Sequence, residues 1–229
     1  MGTRCGYTFG KIRWRGIGVA ATRGIIVTEN ETDRPTRQAA LAFGIETPRG
    51  MLRKLERELE RLSRATFEPQ DVVDHSINCA MTAWHIVEWV WQLHFRRNQD
   101  ALAALARAAG LQTPNGGGRY PPQWMADWIC QCSPEIATCR EIAIGSKHVI
   151  PDPPPVRVAD TDVSARPTQV FTLGTSVLGG GDVLGGGDLP PTQYLPKVRG
   201  NDGTTHNAIQ VFDAAVLFWR QFFDDYGIN

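Results

Sequence analysis

Between Asp74 and Phe95 the chain reads DHSINCAMTAWHIVEWVWQLHF, apolar almost throughout and free of glycine and proline. A run of this length outlasts an ordinary strand and predicts a buried helix. Its polar positions Asp74, Asn78, Thr82, His85, Glu88 and Gln92 are spaced 4, 4, 3, 3 and 4, which averages to the helical period of about 3.6 residues. One polar stripe therefore descends a helix whose other faces want a core. The stripe reads either as the solvent side of a half-buried helix or as one wall of a polar cleft, because Met81 and Trp89 border it.

The same periodicity recurs on both sides. Leu52, Leu55, Leu59 and Leu62 repeat at 3, 4 and 3 behind Thr47-Pro48, a pair suited to a helix start: threonine caps free amides and proline lacks one. Arg53, Lys54, Glu56, Arg57, Glu58, Glu60 and Arg61 read as the solvated face of that helix. Ser133-Pro134-Glu135 opens a later helix by similar logic, and Pro151 closes it near Val149. At the end of the chain Ile209, Phe212, Val216, Trp219 and Phe223 repeat at 3, 4, 3 and 4, the pattern of a helix that seals a core.

Helices are thus expected over 47–65, 72–96, 100–109, 121–131, 133–149 and 205–225. Beyond Pro151 the pattern shortens to β-like runs at Val156–Val158, Gln169–Leu173 and Tyr194–Arg199. The tandem VLGGGDVLGGGD, Val177 to Asp188, reads as a flexible hairpin tip. The expected fold is mainly α: an antiparallel helical bundle with a small antiparallel β element before a closing C-terminal helix, α+β overall. Residues 1–38 form a poorly ordered arm, 39–150 the bundle, and 151–229 the β-hairpin element with the closing helix packed on the bundle.

Charge narrows the partners. With 24 basic and 24 acidic side chains among 229 residues, no global field recruits nucleic acid or a membrane. No apolar run reaches the roughly 20 residues of a membrane-spanning helix, and no membrane partner is expected. Five cysteines, an odd number, fit a reducing cytoplasm better than a disulfide framework. Cys130, Cys132, Cys139 and His148 lack a standard zinc spacing, and no glycine-rich phosphate loop is present, so neither metal nor cofactor is expected.

The chemistry that remains lies in CREIAIGSKH, Cys139 to His148. Glu141, Gly145 and His148 share a helical face, with Arg140 at its edge. Gly145 inside a helix would let a neighbouring backbone or ligand approach closely. The plainer reading is a helix end at which Lys147 and His148 answer the dipole.

FGIETPRGMLRKLERELERL, DHSINCAMTAWHIVEWV and CREIAIGSKH resemble three blocks, in the same order, of a family of small uncharacterised bacterial proteins. That resemblance implies a helical body with a β-containing C-terminal part. More distantly, a helical hairpin with an Arg and a His on a late helix resembles HEPN domains, in which R-x4-6-H cleaves RNA across a dimer interface. Arg140 and His148 are separated by seven residues, outside that motif. The HEPN resemblance implies a metal-independent ribonuclease of a bacterial defence or toxin system, with His148 as general acid and base, Arg140 stabilising the phosphorane, and His85 or Glu88 orienting them. The other expectation, slightly preferred, is a non-catalytic interaction or scaffold module that binds a protein partner or forms a homodimer.

Overall fold

The computed structural model describes residues 44–108, 120–148, 154–167 and 192–228. The expected arm 1–38, the run Gln169–Leu173 and the VLGGGD repeat lie outside these residues. The described chain is mainly helical: α1 (Pro48–Arg64), α2 (Pro69–Val90), α3 (Gln99–Ala108), α4 (Pro122–Cys132) and α5 (Pro134–Gly145) precede a small sheet, and α6 (Ala208–Tyr226) closes the order. The sheet runs β1 (Val158–Pro167), β2 (Thr192–Gly200) and β3 (Thr205–Asn207), antiparallel throughout and in that spatial order.

Local chemistry sets the ends of these elements. Thr47 Oγ1 accepts from the amide of Gly50 at 3.0 Å and starts α1 one residue ahead of Pro48. Ser133 does the same for α5 through the amide of Ile136, and Asn207 Oδ1 starts α6 by accepting from Ile209 at 3.0 Å. Gly227, at φ 61°, stops α6 in the left-handed conformation that glycine tolerates.

Three expectations are corrected. The α5 helix ends at Gly145, not near Val149, in a turn over Ser146 and Lys147. A side chain built at Gly145 would meet nothing within 4 Å, so the glycine ends a helix and admits no close neighbour. The strand expected at Val156–Val158 begins instead at Val158 and runs to Pro167, leaving Val156 80% exposed.

The central position falls to α2, which packs against α1, α4, α5, α6, β1 and β2. Its last turn widens: over Trp91–Phe95 the helix is π, and the amide of Arg96 donates to Trp91 O at 2.8 Å, five residues back. The α6 helix lies across α1, α2 and α5, burying Phe212, Trp219 and Phe223 completely. The Trp219 indole Nε1–H donates to Ala83 O at 3.1 Å, so the closing helix is keyed to the central one. The amide of Tyr194 in β2 donates to Thr66 O at 2.6 Å, which ties the sheet to the α1–α2 loop.

Candidate functional site

Of the four residues singled out by sequence, His85 and Glu88 sit on α2 and Arg140 on α5, two helices that pack together. Arg140 is half-buried; its Nη1 donates to Asp127 Oδ1 of α4 at 3.1 Å, and its guanidinium carbon lies 5.2 Å from the ring centre of Trp84. An ion pair combined with a cation–π contact fixes the plane of the guanidinium. His148 lies beyond the end of α5, exposed, with its amide donating to Ile144 O at 3.2 Å. Glu88 is exposed and accepts from Gln92 Nε2, one turn along its own helix.

His85 is half-buried, and burial is the main cause that holds its imidazole below the ordinary value; Lys147 and Lys54 push the same way, against Glu88. The proximity of Lys147 brings the α2 stripe and the end of α5 into the same neighbourhood. Among the described residues, no hydrogen bond or ion pair joins His85 or Glu88 to Arg140 or His148.

Glu141 has a different task. Its Oε1 accepts from the amides of Val156 and Arg157, both at 3.1 Å, and its Oε2 from Arg157 at 2.9 Å and Val158 at 2.7 Å. One carboxylate thereby gathers three successive amides and anchors the start of β1 to α5. Charged acceptors of backbone amides are among the stronger hydrogen bonds available.

A cluster between α1 and α2 was not read from the sequence. Glu58, only 6% exposed, accepts from Arg61 Nη1 at 2.9 Å, and Lys54 Nζ lies 3.9 Å from its Oε1. Lys54 Nζ also donates to Thr82 Oγ1 at 2.6 Å, so the middle of the α2 stripe is covered by α1. Glu58 Oε2 and His75 Nδ1 stand 3.4 Å apart, each buried and without a hydrogen-bond partner. Beside them Cys79 is pushed up to about 12, by burial first and then by Glu58. The signal was present in the spacing: Glu58 follows Leu55 by three and precedes Leu62 by four, which puts it on the apolar face of α1.

Under the sheet lies a cavity of about 380 Å³ walled by Val73, Ile77, Ile142, Val163, Val198 and Phe212. Strand alternation turns Thr161, Val163, Pro196 and Val198 inward and the opposed Asp162 and Lys197 outward. Ser76 Oγ, also on its wall, already donates to Val72 O. The cavity wall is thus largely apolar, with Asp162 and Lys197 among the residues that border it. Among the described residues no group of three His, Cys, Asp or Glu side chains is placed to share a metal ion.

Comparison of the chain with family models, with curated proteins and with solved structures gave no match.

Proposed function

We propose that this protein is a non-catalytic helical interaction module that meets a protein partner or a second copy of itself. The observation that carries the reading is the engagement of Arg140. A ribonuclease of the HEPN kind needs that guanidinium free to meet the charge developing on a phosphate, whereas here Asp127 and Trp84 hold it. Its neighbour Glu141 is taken up by the three amides at the start of β1, so this part of α5 spends its polar side chains on joining elements.

The test sets wild-type protein, Arg140→Ala and His148→Ala against single-stranded RNA without added metal. RNA left intact by wild-type protein, with Arg140→Ala lowering the thermal midpoint and His148→Ala leaving it in place, is the expected result. Cleavage of RNA but not of the matching DNA, lost in a folded His148→Ala variant, would establish the ribonuclease instead, because only RNA offers a 2′-hydroxyl nucleophile.

A further inference from the structure

Among the described residues β1 pairs on one side only, with β2, and it is the longer of the two sheet edges. An edge strand leaves every second residue with an amide and a carbonyl turned away from its neighbour, a template for a further strand. Two features bound that template. A register shift between Val158 and Asp160 interrupts the ladder at one end, and Pro167, which has no N–H, closes it at the other. Between them stand two exposed charges, Asp162 and Arg166, and neither takes part in an ion pair or a side-chain hydrogen bond among the described residues. Asp160 differs, being held by Arg199 at 2.6 Å. Asp162 and Arg166 are four apart on one strand and so project from the same outer face of the sheet.

We infer that the free edge of β1 pairs antiparallel with the same edge of a second copy of this chain, about a twofold axis through Ser164. This inference rests on the interaction-module reading and names the partner as the chain itself. In that register Asp162 of each copy lies opposite Arg166 of the other, so two opposite-charge pairs form together. Val163 meets Ala165 on the inner face, and Ser164 meets its own mate on the axis. A strand that carries both halves of each pair is what a twofold contact requires, because residue i must suit residue j and j must suit i. The charges also choose the register. Sliding the pairing by two residues sets Arg166 opposite Asp160, which Arg199 already occupies, or opposite Ser164, which has no charge. Lys197 lies across from Asp162 on β2, so Lys197, Asp162 and Arg166 of the second copy form a row of alternating sign across the joined sheet. Main-chain hydrogen bonds along the edge supply the affinity, and the charge pairs supply the alignment. An axis normal to the sheet keeps the helices of both copies on one face and joins two three-stranded sheets into one.

The experiment is sedimentation velocity on the full-length protein over a concentration series. Wild-type protein is expected to form a reversible dimer. Asp162→Arg sets two guanidinium groups against each other and Arg166→Asp two carboxylates, so each alone should raise the dimer dissociation constant at least about 10-fold. Both side chains are exposed, so the circular dichroism spectra should not change. An equimolar mixture of the two variants places opposite charges at both positions again and should recover the dimer. A monomeric wild-type protein would overturn the inference, including one whose β1 amides resist deuterium exchange because another stretch of the same chain holds the edge. So would a mixture that stays monomeric. A dimer indifferent to both substitutions removes this edge and keeps the interaction module. RNA cleavage by wild-type protein removes the module reading itself.

Discussion

Glu58 shows how a single position divides charge from burial. It shares the apolar face of α1 with Leu55 and Leu62 and is itself buried, yet Arg61, its best partner, is 59% exposed in its side chain. An ion pair open to water on one side is worth about 0–1 kcal/mol, whereas burying a leucine side chain contributes about 1.5–3 kcal/mol. Glu58→Leu is therefore expected to raise stability by about 1 kcal/mol in a urea melt, since Lys54 keeps Thr82 and Arg61 turns to water. A loss of stability would show that Glu58 and His75 form a stronger pair than their geometry indicates. The cysteines give a pH prediction of definite sign. Burial pushes Cys79 up to about 12, Cys132 up to about 11 and Cys139 higher still, from an ordinary value of 9.0. As pH rises past 9 the unfolded chain gives up these protons while the folded chain keeps them, so stability is full below about pH 9 and falls through pH 11 and 12. A series of urea melts across that range checks the slope; in parallel, iodoacetamide at pH 8 should leave Cys79 and Cys139 unlabelled until the protein is unfolded.

Among the elements, the join between α5 and β1 rests on Glu141. Glu141→Ala strands three amides at the start of the strand, and each must find water at the edge of the sheet. A loss of about 1–3 kcal/mol is expected, with faster hydrogen exchange at Val158; Glu141→Gln, which keeps a neutral acceptor, should recover part of it. Neither this join nor β1 was legible in the sequence, and the reason is physical. The inward face of β1 offers little beyond Val158, Thr161 and Val163, and the strand's partners in β2 lie 25 to 42 residues away, so the strand is defined by pairing and not by its own pattern. The faces of α1 and α6 were legible because each repeats apolar residues at 3 and 4 over several turns, and Thr47 and Ser133 announced their helices by capping chemistry. The stop of α5 was missed because Pro151 marks where a helix must have ended, while Gly145 ended it earlier. Likewise the run of charge around Glu58 hid its place on the apolar face, and the π turn has no pattern that separates it from an ordinary helix end.

For the molecule as a whole, the central helix is held in place by the last one. Arg49 of α1 reaches the end of the chain twice, Nε donating to Ile228 O at 2.7 Å and Nη2 pairing with Asp224 at 2.7 Å, and Arg220 pairs with Glu56 at 2.7 Å. These exposed contacts set the register, whereas the energy comes from Phe212, Trp219 and Phe223, each fully buried against helices that are distant in sequence. Trp219 combines both roles, filling the core and donating to Ala83 O. Trp219→Ala removes the ring, leaves a cavity and takes from the Ala83 carbonyl its indole donor, for an expected cost of about 3–5 kcal/mol. Against a usual domain stability of about 5–15 kcal/mol, this should bring the midpoint close to physiological temperature. Trp219→Phe keeps most of the volume and should cost about 1–3 kcal/mol, largely through the lost hydrogen bond. Leu217→Ser, on the exposed side of the same helix, should change stability by less than about 0.5 kcal/mol. Because α6 touches α1, α2 and α5 together, the damage in Trp219→Ala should appear as one lowered transition, with tryptophan fluorescence and far-ultraviolet circular dichroism coincident. Two separated transitions would mean that the helical hairpin α1–α2 folds without its closing helix.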